Sequence, residues 1–193
     1  MTHAHKEIEV RFLEVDVSAL TARLKELGAE DKGADLLRET IFYDQDLEWN
    51  RTAERFVRVR RSKEGVEVTY KRFHYVGVDG AEEVQFNCDN EEMAILFLER
   101  VGLRKYRVQE KKRHQYFLDG VMVEFVTWPG VPTLLEIEGE SEGMLRYSAE
   151  KLGLDWKNVF LEHNRAVIEK YLNTPSGVYP PGGYRIYTFE KME

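Results

Sequence analysis

The sequence has little cysteine and no long apolar run. Its 193 residues include one cysteine, Cys88, so no internal disulfide forms and the fold needs no oxidising compartment. No stretch approaches the apolar length of a membrane span, and the opening segment MTHAHKEIEV lacks the apolar core of a signal peptide. We therefore expect a cytoplasmic protein with no membrane partner.

A basic excess is also missing. The formal net charge of −7 argues against a general nucleic-acid binder, because such proteins normally carry an excess of lysine and arginine. Neither a phosphate loop of the Gly-x4-Gly-Lys-Ser/Thr type nor a Rossmann glycine pattern is present. The basic residues nevertheless concentrate in two segments, 55–72 and 104–113. An acidic protein with two basic segments can present local phosphate sites.

The hydrophobic pattern predicts four amphipathic helices among eight strands. The helices are expected at 18–27, 90–101, 142–152 and 162–172, the first three followed directly by a glycine that suits a left-handed C-terminal cap. Asp89 with Glu92 resembles a capping box for the second helix. The strands are expected at 6–15, 36–44, 55–61, 66–75, 82–88, 106–118, 121–126 and 133–139. Asp119-Gly120 is the clearest hairpin turn.

Charged residues alternate with apolar ones along most of these strands. Side chains two residues apart share a face, so each strand has one charged and one apolar face. Alternation alone favours an ordinary sheet with one solvated and one packed face, which most antiparallel sheets show. The charges, however, are sorted: acids occupy the first, seventh and eighth strands, and bases occupy the third, fourth and sixth. A lumen that holds a polyanion and a metal ion needs this sorting, whereas a solvated face does not.

The ordered set of charged motifs resembles the CYTH (triphosphate tunnel) enzymes over residues 6 to about 140. The segment Glu7-Ile8-Glu9-Val10-Arg11 is similar to the family's opening Glu-x-Glu-x-Lys signature. The other motifs follow in order: Arg58-Val59-Arg60, Thr69-Tyr70-Lys71, Glu83-Val84-Gln85, Lys111-Lys112-Arg113 and Glu136-Ile137-Glu138. The resemblance implies an α+β fold: an eight-stranded antiparallel β-barrel (tunnel) with a charged lumen and amphipathic helices packed outside. It places one barrel domain at 1–175 and a C-terminal extension, an edge strand or a lid, at 176–193.

The resemblance also implies roles for particular side chains. Phosphate binding falls to Arg11, Arg58, Arg60, Lys71, Lys111 and Arg113. One or two Mg²⁺ or Mn²⁺ ions are expected on Glu9, Glu124, Glu136 and Glu138, since such ions prefer oxygen ligands. Catalysis is expected at Glu7, Glu9, Arg11 and Lys71, with Glu7 either binding metal or orienting the attacking water. For Arg11 and Lys71, a salt bridge to a lumen carboxylate without any ligand is the alternative, and Glu83 is open between the same two roles.

Three departures from the family pattern bear on chemistry. Arg11 replaces the signature lysine, and arginine binds phosphate well but does not accept a proton. Glu124 stands where many members carry aspartate, and Gln85 stands where an acid is expected.

Three functions remain open from the sequence. The first is a metal-dependent triphosphatase acting on inorganic triphosphate, thiamine triphosphate or ATP. The second is a class IV-like adenylate cyclase that forms cyclic AMP, and the third is a non-catalytic sensor of polyphosphate or nucleotide. A homodimer is compatible with each of the three.

Overall fold

The computed structural model describes residues 5–172 and 183–190 as an α+β fold in which helices pack on one curled sheet. The strands are β1 (His5–Glu7), β2 (Glu9–Phe12), β3 (Glu30–Tyr43), β4 (Arg55–Ser62), β5 (Gly65–Phe73), β6 (Ala81–Cys88), β7 (Arg104–Leu118), β8 (Val121–Thr127), β9 (Leu134–Glu138), β10 (Val159–Phe160) and β11 (Arg185–Tyr187). The helices are α1 (Val17–Glu26), α2 (Glu48–Thr52), α3 (Glu91–Arg100), α4 (Glu142–Lys151) and α5 (Asn164–Leu172), with a 3-10 turn at Trp156–Asn158.

Residues 5–12 pair with strands at both ends of the sheet and so close it. The strand order is β1-β6-β5-β4-β3-β7-β8-β9-β2-β10. β1 pairs antiparallel with β6, and β2, one residue further on, pairs antiparallel with β9. The interruption is at Ile8, whose carbonyl accepts a hydrogen bond from the backbone of Gly139 at 3.1 Å. Taken together, β1 and β2 act as one strand of an eight-strand circuit, and the predicted antiparallel tunnel is confirmed.

Two short strands extend this circuit. β10 pairs antiparallel with β2, and β11 pairs in parallel with β7, with Arg185 opposite Arg107. β11 occupies the half of β7 that β8 does not reach, since β8 pairs only with residues 112–118. The predicted extension at 176–193 lies partly outside the described residues, so its boundary stays a prediction.

The apolar faces of the strands point outward, where the helices cover them. Val10 and Ile137 lie in a core with Leu20 and Leu24 of α1 and Leu145 of α4. Across the circuit, Leu98 of α3 packs on a second core with β3, β4 and β5. Because the apolar faces point outward, the charged face of most strands points toward the interior of the curled sheet. No helix in the described ranges is both long and apolar enough to cross a membrane.

The helix ends match most of the predicted signals. Gly28, Gly102 and Gly153 all have positive φ, as C-terminal caps require. Asp119 and Gly120 also both have positive φ and join β7 to β8 through a two-residue turn. The capping box at Asp89 was wrong: α3 begins at Glu91, and Asn90 is its N-cap, accepting a hydrogen bond from the Met93 backbone at 3.0 Å.

Candidate functional site

A cavity of about 750 Å³ occupies the interior of the curled sheet. We call it the lumen. Its walls carry the charged side chains that the strand alternation predicted to share one face, and ten of the eleven predicted site residues are among them. They are Glu7, Glu9, Arg58, Arg60, Lys71, Lys111, Arg113, Glu124, Glu136 and Glu138. Arg11 is the exception, because it lies behind Glu9 and Glu136 and lines two further cavities instead.

The strand register explains this meeting of charges. Neighbouring strands set Glu9 opposite Glu138, Arg11 opposite Glu136, and Glu136 opposite Glu124. On the other wall, Arg58 lies opposite Thr69 and Lys71 lies opposite Glu83. Since directly opposed residues share a face, the acidic wall is formed by β2, β8 and β9. The basic wall is formed by β4, β5 and β7.

Arg11 and Lys71 both form buried ion pairs with carboxylates of the acidic wall, Arg11 from within that wall and Lys71 from the basic wall. The Arg11 guanidinium donates to Glu136 at 2.8 Å, to Glu9, and to the backbone carbonyl of Glu162 at 3.0 Å. Burial would lower the pKa of Arg11, but Glu9 and Glu136 raise it further, so the net pKa is above its ordinary value. Arg11 is therefore a fixed positive charge, and it does not exchange protons as a lysine does.

Lys71 contacts several carboxylates of the first strand and of β6. Its ammonium pairs with Glu7, with Glu83 at 3.2 Å and with Glu9 at 3.6 Å. Burial lowers the pKa of Lys71, but Glu9, Glu7 and Glu83 more than offset this, and the net pKa is raised. Lys71 is therefore charged, and Glu83 forms a lumen salt bridge in the ligand-free protein.

Glu39 is a buried part of the site that sequence reasoning missed. Its side chain is 2% exposed and accepts hydrogen bonds from Arg60 at 3.0 Å and Gln109 at 2.6 Å. Burial would raise its pKa, but Arg60 and Arg58 lower it well below the usual range. Glu39 shares its strand face with Leu37 and Ile41, so the alternation of charged and apolar residues gave no signal for it. It fixes the arginines of the basic wall.

Glu138 is a partly buried lumen carboxylate without a cationic partner among the described residues. Within the described residues it makes no hydrogen bond or ion pair, and burial together with Glu7, Glu9 and Glu124 raises its pKa to about 7. Burial likewise raises the pKa of Glu9 in spite of Arg11. Carboxylates crowded in this way are stabilised by a divalent cation, which binds oxygen ligands and removes their repulsion.

The other acidic residues are held by basic neighbours. Glu136 lies 3.6 Å from Lys111 as well as beside Arg11, and Glu124 lies 3.8 Å from Arg113 and accepts a hydrogen bond from Gln115 at 2.5 Å. Consistent with this pairing, residues 5–172 and 183–190 contain no three acidic, histidine or cysteine groups already gathered around one point. The donor types fit Mg²⁺ or Mn²⁺, and binding would require Glu136 and Glu124 to turn from these cations.

Two smaller cavities adjoin the layer that contains Arg11. One of about 310 Å³, which we call the vestibule, is lined by apolar and aromatic groups and by Glu7, Glu9 and Arg11. Its ring-bearing and apolar members are Phe73, His74, Tyr75, Val76, Val78, Leu161 and His163. The other, of about 50 Å³, lies beside Arg11, Arg58 and Lys71, and we call it the inner cavity.

These features define a tunnel that suits a polyanion and a cation. The model of the CYTH domain family matches residues 5–144, and the chain belongs to this family. The match includes every residue of both lumen walls. No curated protein matches the chain.

Solved structures share the fold at low sequence identity. The PH1012 protein of Pyrococcus horikoshii OT3 is similar with a TM-score of 0.72 at 23% identity, over 83% of this chain and 98% of its own. A candidate adenylate cyclase of Vibrio parahaemolyticus gives 0.69 at 14%, over 86% and 99%. HpAC1 from Hippeastrum, a candidate adenylyl cyclase described as having a dominant triphosphatase activity, gives 0.60 at 17%, over 85% and 95%.

Proposed function

We propose that the protein hydrolyses a triphosphate held in the lumen, with a divalent metal ion as cofactor. The observation that carries the proposal is the separation of charge across one cavity: Arg58, Arg60, Lys111 and Arg113 stand on one wall, and Glu138 is unpaired on the other. A triphosphate needs cations for its oxygens, and a bridging metal ion needs carboxylates beside it. Both requirements are met within about 750 Å³.

The basic wall would bind the phosphate oxygens. Arginine offers a planar fork that matches two oxygens of one phosphoryl group, and Arg58 and Arg60 are already held side by side by Glu39 at 3.6 and 3.0 Å. Lys111 and Arg113 project from the same face of β7. Because these groups are placed before the ligand arrives, little ordering is required on binding, and the phosphates are oriented for in-line attack.

The acidic wall would hold Mg²⁺ or Mn²⁺ through Glu9, Glu124, Glu136 and Glu138. When bound, such an ion neutralises charge on the phosphate oxygens and polarises the phosphorus that is attacked. Arg11 keeps Glu9 and Glu136 oriented from behind. Arg11 does not accept a proton, so the attacking water is oriented by a carboxylate, and Glu7, held by Lys71, is the one we assign to that role.

Adenylate cyclase is the second candidate, favoured by the vestibule. A nucleoside needs an apolar and aromatic surface beside the triphosphate site, and Phe73 and His163 provide one, with ring centroids 5.4 Å apart. The vestibule touches Glu7 and Glu9, which places it next to the lumen. The same protein preparation therefore has to be tested for both products.

Product analysis with Mg²⁺ or Mn²⁺ distinguishes these functions. We expect orthophosphate from inorganic triphosphate, thiamine triphosphate or ATP, with a loss of at least about 100-fold for Glu136→Gln and Glu138→Gln. Glu150→Gln, on the exposed side of α4, is the matched control and retains activity. Cyclic AMP with pyrophosphate from ATP would reassign the protein as a cyclase. Tight binding of triphosphate without any turnover would leave a sensor.

A further inference from the structure

The inner cavity carries far more positive than negative charge. Its cationic lining consists of Arg11, Arg55, Arg58, Lys71, Arg107 and Arg165. Among its described lining residues, Glu39 is the one carboxylate, and Arg60 and Gln109 already bind it. Such an excess of buried positive charge is unfavourable unless an anion balances it.

Most of these cations have a carboxylate of their own outside the cavity. Arg11 pairs with Glu136 and Lys71 with Glu83, and Arg165 pairs with Glu169 at 2.7 Å. Arg107 differs. Its side chain is 7% exposed, and within the described part of the chain it has neither an ion pair nor a hydrogen bond.

The neighbours of Arg107 add to this imbalance. Arg107 and Arg165 also line a smaller space, in which Glu169, the partner of Arg165, is the one carboxylate among the described lining residues. The Arg165 guanidinium also has a buried nitrogen, Nη1, without a partner, as has Arg107 at Nε. Donors on both arginines are therefore buried and available to an acceptor.

Two further features point the same way. Helix α5 begins at Asn164 against the inner cavity, and a helix N-terminus favours an anion. Burial and Arg165 lower the pKa of His163, which lines the cavity too, as a positive local potential requires.

The size of the inner cavity suits a compact anion. A water molecule needs about 10–15 Å³ of free cavity volume, so 50 Å³ accommodates roughly four water-sized groups. A phosphate group has four oxygens. Larger organic anions would not fit without movement of side chains such as Phe56 or Phe73, which form part of the apolar lining.

We propose that the inner cavity is an oxyanion site for a single phosphate group, bound by Arg107 and Arg165 and separate from the lumen. The phosphate group has two possible sources: free orthophosphate, or the end of a phosphate chain that extends past Arg58 and Lys71, which line both cavities. The site does not depend on hydrolysis in the lumen, since it requires only the guanidinium groups.

Calorimetric titration with orthophosphate, without metal, tests the site. We expect Arg107→Met to weaken orthophosphate binding by at least about tenfold. Lys112→Gln, which removes an exposed charge from the same strand, is the matched control and should change it by less than about threefold. Arg165→Gln is the second variant, so that a folding defect in one of the two does not decide the result.

Chain length identifies the source. If the end of a chain is bound, inorganic tetraphosphate binds wild type at least about tenfold more tightly than triphosphate, and Arg107→Met abolishes that difference. If free orthophosphate is the ligand, it binds alone and the two chain lengths are equivalent. Equal binding of orthophosphate, and of both chains, by wild type, Arg107→Met and Arg165→Gln would overturn the proposal. Because these are binding measurements, absence of triphosphatase activity leaves their interpretation unchanged.

Discussion

At the scale of single residues, the acidic wall is organised around one unpaired carboxylate. Glu136 and Glu124 have basic neighbours, whereas Glu138 faces Glu7, Glu9 and Glu124 and has its pKa raised to about 7. A group whose folded pKa lies above its unfolded value binds extra protons in the folded state, so stability falls as pH rises between the two values. Glu138 therefore makes the metal-free protein less stable at neutral pH.

Glu138→Gln should remove the part of the pH dependence of folding stability that Glu138 causes. In EDTA, wild type should lose on the order of 1–2 kcal/mol relative to Glu138→Gln as pH rises from 4.5 to about 7. The two proteins should be closest in relative stability below pH 4.5, where the carboxyl is protonated in both states. Urea unfolding at several pH values measures the difference, and Glu150→Gln is the exposed control. Parallel curves for wild type and Glu138→Gln would contradict the assignment.

Sequence alternation located the charged side chains well but not their partners. It worked for Arg58, Glu136 and Glu138 because valine, leucine or isoleucine separates each charge from the next. It failed for Glu39, whose face of β3 also carries Leu37 and Ile41. A lumen wall that is partly apolar does not show a regular alternation. Arg107 was missed although Tyr106 and Val108 flank it, because the charged face of this strand was sought only from Lys111 onward.

At the scale of elements, helix boundaries depend on single caps. The sequence predicted Asp89 as the cap of α3 and Asn90 as its first helical residue. In the structure Asn90 accepts the hydrogen bond from the Met93 backbone at 3.0 Å. A cap satisfies one of the backbone N–H groups that the first turn leaves without a partner.

Substitution of each candidate cap tests this assignment. Asn90→Ala should lower the free energy of unfolding by about 1 kcal/mol, and Asp89→Ala by less than about 0.5 kcal/mol. Thermal unfolding of both variants beside wild type gives the comparison. A larger loss for Asp89→Ala would restore the capping box with Glu92 that the sequence suggested.

Short elements escaped prediction for physical reasons. Helix α2 has five residues and is flanked by Leu47 and Ala53, both with positive φ, which neither residue type favours. β10 has two residues, and no periodicity is visible over so short a span. Its pairing with β2 is a contact between residues far apart in the sequence, which forms only when the sheet has folded. Strand β3 extends six residues further toward the N-terminus than predicted, where Glu30–Asp35 is too polar to resemble a strand.

At the scale of the whole molecule, closure of the sheet through residues 5–12 brings acids of β2 and β9 to face bases of β4 and β7. The two walls partly neutralise each other, through Lys111 with Glu136 and Lys71 with Glu9. A triphosphate alone would add negative charge beside the acidic wall, and a metal ion alone would add positive charge beside the basic wall. Each ligand should therefore bind better in the presence of the other.

This coupling can be measured as thermal stability. We expect Mn²⁺ and inorganic triphosphate together to stabilise the protein by about 1–3 kcal/mol more than the sum of their separate effects. For a domain of this size the excess corresponds to roughly 2–4 °C in Tm per kcal/mol. Glu138→Gln should lose most of the excess because its acidic wall binds metal more weakly, whereas Glu150→Gln should keep it. Strictly additive shifts in wild type would mean that metal and triphosphate bind independently, and the proposal that the acidic wall holds a metal ion beside phosphates on the basic wall would have to be abandoned.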